Sequence, residues 1–380
     1  MKNAIQTIFQ RGFSDYSMKY YVSNVQRKAA NDIMLCRTDD LGTFTYTCDD
    51  CGHIVTRPCS CKNRHCPYCQ TIPRAQWIDA RKSEVFPDSQ YFHIVMTVPH
   101  QLLPLFFRNQ KELYSLFHRC SSQAIIELSQ SIHGMGGTPA VTQLLHTWGQ
   151  QLNFHPHLHC IVSGTGLSSS KKLVRCKEGY LFPLPMLMDL FRGKFLSHLN
   201  LLYLSGDLEL PDDIPDHLAW LNLMDKLYSI DWCPYIKETF NGNGNAIDYL
   251  GRYTYRVAIT ESRIEEVTDT HVTFRYYDYK TATHESSTIT IVEFIRRFLM
   301  HILPKGIQKT RHSGLLNNRF KSRNLNILST LLKEALRHAR LKGLKVSEII
   351  LVLWNIDVTL CPQCKGHNLK LSALPFHQKL

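Results

Sequence analysis

The order of apolar and polar residues along the chain predicts helices interspersed with short strands. Residues 1–35 and the longer segment 101–132 carry apolar side chains at helical spacing. Residues 91–98 form a run of β-branched, aromatic and other apolar side chains, which is typical of a buried strand. Residues 141–148 predict a second strand, and a short turn joins it to a third at residues 155–162. These two neighbouring strands predict an antiparallel sheet.

The second half of the chain is also predicted to contain both helices and strands. Apolar spacing predicts packed helices at residues 187–204 and 215–230. A β-hairpin is predicted within residues 263–277, followed by a helix at residues 292–303. Residues 325–341 form a further amphipathic pattern. The predicted fold class is therefore α+β.

The strand at residues 155–162 reads His-Pro-His-Leu-His-Cys-Ile-Val and carries the first candidate chemistry. Alternation along a strand places His157 and His159 on one face, about 7 Å apart, with Leu158 and Cys160 on the other. Two neutral imidazoles on a rigid strand are a natural half-site for a divalent metal. The same pair also fits the polar face of an edge strand, so other parts of the chain must distinguish the two interpretations.

A cysteine-rich segment precedes these strands and predicts structural zinc. It contains Cys48, Cys51, Cys59, Cys61, Cys66 and Cys69. The two C-x-x-C pairs, Cys48 with Cys51 and Cys66 with Cys69, are separated by 14 residues, which fits one tetrahedral four-cysteine site. One tetrahedral zinc ion needs only four ligands, so the segment offers more than enough with Cys59, Cys61, His53 and His65. They leave open a second zinc ion or the replacement of a ligand in the first site.

A third C-x-x-C pair, Cys361 with Cys364, lies near residue 380 without a second pair after it. It could close a site with His367 and His377, close one with Cys59 and Cys61, or bind no metal. The spacing within this pair does not choose among these possibilities.

The charge of the chain indicates a polyanionic partner. The 44 Lys and Arg residues exceed the 32 acidic residues and give a formal charge of +12, which favours nucleic acid. Residues 294–333 contain no Asp or Glu, so we expect phosphate contacts from the basic residues of this region, Lys305, Lys309, Arg311, Arg319, Lys321 and Arg323. No apolar run is long enough to predict a signal sequence or a membrane span, and the expected location is cytoplasmic.

A polar linker at residues 241–245 precedes a predicted helix that carries paired tyrosines. Tyr249 and Tyr253 stand at positions i and i+4, so their hydroxyls project from one helix face. Arg252 pairs with Asp248 at the same spacing or remains free for a phosphate. A tyrosine pair by itself more often indicates core packing. Beside a metal, however, a tyrosine hydroxyl can attack a DNA phosphate, and a second tyrosine allows a second cleavage while the first adduct persists.

Taken in order, these motifs resemble a known family. The segment His157-Leu-His159 matches the histidine–hydrophobic–histidine motif of the HUH endonuclease superfamily. The succession of cysteine cluster, histidine strand and Tyr249-Leu-Gly-Arg-Tyr253 resembles the two-tyrosine rolling-circle transposases of bacterial insertion sequences, relatives of the helitrons. The resemblance extends over about residues 1–320.

This resemblance implies a Rep-like HUH nuclease domain, in which helices flank a central antiparallel sheet. We expect a helical arm and zinc-binding module at residues 1–85 and the nuclease at residues 86–303, with a helical insertion at about 170–240. A basic helical region would follow at residues 304–380. Single-stranded DNA would be the substrate, and the zinc module would grip the ends of the mobile element.

The resemblance also assigns roles to individual residues. It makes His157 and His159 ligands of Mg²⁺ or Mn²⁺, and Tyr249 and Tyr253 nucleophiles that form 5′-phosphotyrosine intermediates. His155 shares a face with the other two histidines and is a candidate third ligand. Tyr255 lies two residues beyond Tyr253 and would point away from the catalytic face, so it is excluded.

Other protein classes explain parts of the pattern. A histidine-triad nucleotide hydrolase would use His155, His157 and His159, but it leaves the cysteines and tyrosines without a role. A zinc-dependent DNA-binding regulator explains the charge and the cysteines but not the histidines together with the tyrosines. A plasmid replication initiator or relaxase of the HUH superfamily is closest in chemistry. The cysteine pairs upstream of the histidine strand favour the transposase.

Overall fold

A computed structural model describes residues 3–86, 89–232, 235–241, 251 and 258–374. The strands in chain order are β1 (Thr43–Cys48), β2 (Ile54–Pro58), β3 (Gln90–Thr97), β4 (Thr138–Trp148), β5 (Phe154–Leu167), β6 (Leu173–Arg175), β7 (Tyr235–Asn241), β8 (Ile264–Val267), β9 (His271–Asp278), β10 (Thr283–Thr290), β11 (Thr310–Gly314) and β12 (Leu369–Ala373). The α-helices are α1 (Ala4–Lys19), α2 (Asn24–Leu35), α3 (Thr71–Lys82), α4 (Leu103–Arg108), α5 (Gln110–Gln130), α6 (Leu184–Leu204), α7 (His217–Ser229), α8 (Ile291–Leu299), α9 (Lys321–Leu332) and α10 (Val346–Trp354).

The largest sheet is antiparallel and has six strands. Five follow the order β11-β4-β5-β3-β7, and β6 pairs with the far end of β5. The long strand β5 therefore lies in the middle, paired with β4 on one side and with β3 on the other. Two three-stranded antiparallel sheets, β10-β9-β8 and β12-β1-β2, complete the strand pairing. Together with the helices they confirm the predicted α+β class.

One face of the central sheet is covered by helices and forms the main core. Leu158, Cys160 and Val162 of β5 point into this core, as the alternation predicts. Phe117 of α5 and Phe195 of α6 pack over them with an edge-to-face ring contact of 6.4 Å between centroids. Each fully buried apolar side chain contributes about 1.5–3 kcal/mol. This packing fixes β5 and leaves its other face for the histidines.

A second core joins the beginning of the chain to residues far along it. Helices α1 and α2 pack against α8 and against the sheet β10-β9-β8. The rings of Phe9 and Phe298 meet edge to face at 5.2 Å. Gly12 permits the close approach of α1 and α8, because a methyl group there would lie 2.1 Å from Ile291 Cγ2.

Several elements differ from the sequence predictions. Helix α9 runs over Lys321–Leu332 rather than 325–341, and it ends where Lys333 adopts a left-handed conformation with φ of 56°. Strands β7 and β11 were not predicted, and β11 falls in the basic segment that was expected only to contact DNA. Within the described ranges, no helix has the length and apolar character needed to cross a lipid bilayer.

Candidate metal centres

Three histidines meet on the open face of the central sheet. His157 and His159 project from the same face of β5, as predicted, and the register of the sheet places His146 of β4 opposite His157. The ring centroids lie 4.9 Å apart for His157 and His159, and 4.6 Å apart for His146 and His159. One ligand nitrogen from each histidine lies within 4.8 Å of the others, so the three can hold one ion.

The third member of this group differs from the predicted one. His155 lies on the same side of β5 and lines the same pocket, but the group that can share an ion contains His146 instead. The backbone carbonyl of His155 has a different contact, because it accepts a hydrogen bond from His157 Nδ1 at 2.8 Å. His146 was missed because it lies on another strand, outside the H-x-H motif.

Hydrogen bonds orient the two β5 histidines for metal binding. Because His157 Nδ1 carries the proton donated to the His155 carbonyl, Nε2 of neutral His157 retains its lone pair. A second hydrogen bond of 2.8 Å joins His159 Nδ1 to Nε2 of His93 on β3. With His159 as the donor, its Nε2 carries the lone pair that a metal ligand needs. His93 is therefore a positioning residue that sequence reasoning did not identify.

Burial keeps these imidazoles neutral. It lowers the pKa of His157 to about 4 and the pKa of His159 well below its ordinary value. Desolvation is the main cause, because it penalises the charged imidazolium, and the neighbouring histidines add to it. Neutral imidazole is the form that binds metal, so these ligands need not lose a proton at neutral pH.

The histidines line a cavity of about 340 Å³. Trp148 also lines it and stacks on His146 at 4.5 Å between centroids. The lining further includes Thr260, Arg263 and Tyr279. The described lining contains no carboxylate. The cavity has the size of a small-ligand site, and its lining includes several polar side chains besides the histidines.

The three residues predicted to supply nucleophiles and a phosphate contact, Tyr249, Tyr253 and Arg252, lie outside the described residues. Gly251 between them is described. A methyl group at Gly251 would lie 2.3 Å from Ile78 Cγ1, so this glycine lies directly against α3.

Ile78 connects Gly251 to the histidine face of the sheet. It packs on a small apolar cluster that includes Leu144 of β4 and Ile161 of β5. Ile161 is two residues beyond His159, and alternation places both on the same face of β5. Gly251 therefore lies on the side of the sheet that carries His157 and His159.

The cysteine-rich segment contributes three thiols to a four-thiol cluster, and Cys36 contributes the fourth. Cys36, Cys61, Cys66 and Cys69 bring their Sγ atoms within 4.8 Å of one another. Cys69 Sγ lies 3.5 Å from Cys36 and 3.7 Å from Cys61. Four thiolates about 2.3 Å from one tetrahedral zinc ion would be about 3.8 Å apart, so this cluster has the dimensions of a structural zinc site.

The predicted combination of Cys48 and Cys51 with Cys66 and Cys69 is wrong. Strands β1 and β2 form a hairpin with the first pair at its turn, whereas the second pair follows the opposite end of β2. A five-residue strand spans about 16 Å, too far for one ion.

Cys59, also predicted as a ligand, is not part of this cluster, while Cys36 was not predicted. The backbone of Cys59 bonds to Arg37 and Gly42.

The six predicted DNA contacts of the basic region fall into two sets. Lys305, Arg319 and Arg323 are exposed. The others are half-buried and have contacts within the protein. Lys321 pairs with Glu84 at 2.8 Å, Arg311 donates to the Ser115 hydroxyl, and Lys309 lies over the Trp148 ring.

Two family models match this chain in the order of its modules. A model described as a transposase zinc-binding domain matches residues 8–98, and one described as "Putative transposase" matches residues 140–324. These two matches define the class as a DNA-processing enzyme, and they support the predicted structural zinc in the N-terminal region together with the cysteine cluster.

The family of this chain follows from its similarity to two relatives of comparable length. The chain is 36% identical over 327 residues to "Putative transposase y4qJ" of Sinorhizobium fredii, covering 84% of this chain and 82% of that protein. It is 29% identical over 307 residues to the transposase for insertion sequence element IS801 of Pseudomonas savastanoi pv. phaseolicola, covering 78% and 71% respectively. The chain belongs to this family of insertion-sequence transposases, as its motifs predicted, and DNA is its partner. No solved structure matches it significantly.

Proposed function

We propose that this transposase cuts and rejoins single-stranded DNA by tyrosine attack on a phosphodiester held at the three-histidine site. The observation that carries the proposal is the cluster of His146, His157 and His159 in one pocket, on the face of the sheet where Gly251 lies. A Rep-like HUH nuclease fold accounts for a central antiparallel sheet with metal ligands on a middle strand.

The donor set fits a divalent transition metal. Three neutral imidazole nitrogens suit Mn²⁺ better than Mg²⁺, which prefers oxygen ligands and retains several waters. An ion held there would polarise a DNA phosphate and stabilise the charge that develops during its attack. The three histidines bring no negative charge of their own to the incoming phosphate.

Tyr249 and Tyr253 supply the nucleophiles in this proposal. A tyrosine hydroxyl loses its proton and its oxygen attacks phosphorus, while the bond from phosphorus to the 3′ oxygen breaks. The products are a 5′-phosphotyrosine link and a DNA strand with a free 3′-OH. Attack on that link by another 3′-OH reverses the step and joins new strands. Two tyrosines permit two such links at once, as rolling-circle transposition requires.

The exposed basic residues support a DNA-binding surface on this protein. Arg319 and Arg323 both lie over the exposed ring of Phe320, at 5.2 and 5.0 Å from its centroid. Arginine beside an exposed aromatic ring combines phosphate attraction with a surface on which a base can stack. Arg252 and Lys305 are further phosphate contacts in the proposal.

The test is formation of a covalent adduct. Labelled single-stranded DNA from the end of the element is incubated with protein and Mn²⁺, then separated under denaturing conditions. We expect a protein–DNA adduct from the wild type and none from Tyr249→Phe with Tyr253→Phe. We expect His146→Ala to lower the adduct yield by at least about 100-fold, because a metal ligand is lost. Tyr255→Phe is the matched control and should retain wild-type yield.

Each alternative has its own outcome in this assay. An adduct that survives in the double tyrosine variant would show that other nucleophiles act. DNA binding without any adduct would reject the nuclease proposal, and nucleotide hydrolysis without an adduct would favour histidine-triad chemistry. Cleavage of plasmid origins in preference to element ends would indicate a replication initiator or relaxase.

A further inference from the structure

A second four-thiol cluster brings together two distant parts of the chain. Cys48 Sγ lies 3.6 Å from Cys364 Sγ, and Cys51 Sγ lies 3.7 Å from Cys361 Sγ. All four sulfur atoms lie within 4.8 Å of one another. We propose that these cysteines bind a second structural zinc ion, which ties the C-terminal segment to the N-terminal zinc module.

The two cysteine pairs adopt the same turn. In the first, Gly52 N–H donates to the Cys48 carbonyl at 2.8 Å, and Cys48 N–H donates to the His53 carbonyl at 2.9 Å. In the second, Lys365 and Gly366 occupy the corresponding positions. Lys365 N–H donates to the Cys361 carbonyl, and Cys361 N–H donates to the Gly366 carbonyl, both at 2.9 Å.

The residue after each pair has the left-handed conformation that this turn requires. The φ angle is 72° at Gly52 and 61° at Lys365. A lysine adopts this conformation less readily than a glycine. Its presence at the second turn indicates that the surrounding contacts hold the turn in place. Two such turns facing each other present four thiols as a closed site.

Backbone pairing and side-chain contacts hold the two turns opposite each other. Strand β12 extends the β1-β2 hairpin into a three-stranded sheet, with Leu369 opposite Cys48. Asp49 N–H donates to the Asn368 carbonyl at 3.0 Å, and the Asn368 amide donates to Asp50 at 2.6 Å. The second cysteine pair is therefore placed by the fold itself.

The chemistry of the donors favours zinc over a disulfide or an empty thiol cluster. The sulfur separations are close to the roughly 3.8 Å expected for a tetrahedral Zn–S₄ site, and far longer than a disulfide bond of about 2 Å. Four protein ligands leave no position for water, which is the arrangement of structural rather than catalytic zinc. Cys361 and Cys364 lie outside both segments matched by the family models, so neither model accounts for this site.

Metal content tests the proposal directly. The full chain with His146→Ala and His157→Ala, which removes the histidine site as a further zinc ligand set, should hold two zinc ions per chain when purified with zinc and analysed by inductively coupled plasma mass spectrometry. The cysteine variants below carry the same two substitutions. Cys361→Ser with Cys364→Ser should hold one. Cys48→Ser with Cys51→Ser should lose the same ion, and the quadruple variant should lose no more than either pair. Cys59→Ser with Cys176→Ser removes two thiols outside both clusters and should retain two ions.

A measurement on the wild type covers the case in which variants fail to fold. Cysteine alkylation is followed by peptide mass spectrometry during titration with a zinc chelator. Cys361 and Cys364 should lose protection together with Cys48 and Cys51, because one ion protects all four. Protection of the first pair alone, one zinc ion in the wild type, or additive zinc losses in the quadruple variant would each overturn the proposal.

Discussion

Substitution of His93 tests the proposed metal binding by the histidine site, because His93 is hydrogen-bonded to the candidate ligand His159. Its side chain is 4% exposed, and its ring stacks on His159 at 5.1 Å between centroids. Replacing it with phenylalanine keeps an aromatic ring beside His159 but removes the nitrogen that is 2.8 Å from His159 Nδ1. His159 then loses the partner that selects its tautomer, while His146 and His157 remain.

The expected effect follows from the position of His93 behind a metal ligand. Loss of such a partner typically costs 10–100-fold in metal affinity, or about 1.4–2.7 kcal/mol. His93→Gln retains an acceptor on a flexible side chain and should recover part of this loss. The matched control is His118→Phe, because His118 is also buried, bonds to Gln143 and does not line the cavity.

The assay is Mn²⁺ titration of protein from which a mild chelator has removed metal held by the histidines, followed by electron paramagnetic resonance of the free ion. Thiolates prefer zinc to Mn²⁺, so the cysteine clusters stay out of the measurement. Circular dichroism of each variant checks that the fold is retained. Equal Mn²⁺ affinity in His93→Phe and the wild type, or an equal loss in His118→Phe, would refute the assigned role of His93.

Two stability predictions concern residues away from the histidines. Phe117→Ala should lower the free energy of unfolding by about 3–5 kcal/mol through a cavity in the main core, whereas Phe107→Ala at a 46% exposed position should cost much less. Glu84→Ala should cost about 3–5 kcal/mol, because it leaves Arg81 charged and largely buried, while exposed Glu209→Ala should cost under about 1 kcal/mol. Urea denaturation measures all four, and equal losses within either pair would contradict the packing described here.

Local periodicity was enough to predict much of the fold. The strands that carry the histidines, the long helices over the core face and the shared face of His157 and His159 all depend on spacing within one segment. Strand β7 could not be predicted in this way, because it lies at a sheet edge and its pairing with β3 joins segments that are far apart in the sequence.

His146 could not be predicted from the spacing of residues within one segment. Near the turn, Trp148 pairs with Phe154, and continuing this register would place His146 opposite Pro156. A register shift between His146 and Trp148 places His146 opposite His157 instead. A shift of one residue reverses the face on which a side chain lies, so the ligand set depends on one irregularity.

The zinc ligands were misassigned for a related reason. Spacing identifies a C-x-x-C pair but does not identify the pair it faces. Cys36 stands alone in the sequence, and the partners of Cys48 and Cys51 lie more than 300 residues away. The charge of the basic segment was also not enough to predict its DNA contacts. Lys321 in this segment is paired with Glu84 from another part of the chain.

The pairing of β12 with β1 has a consequence for the order of folding. Cys36 and Cys69 are 33 residues apart, whereas Cys48 and Cys364 are 316 apart. Closing the longer loop in a flexible chain costs about 2 kcal/mol more, because closure entropy grows with the logarithm of loop length. The first cluster can therefore assemble early and locally. The second must wait until the intervening sheet has folded and brought β12 to β1, which makes its completion a late step in folding.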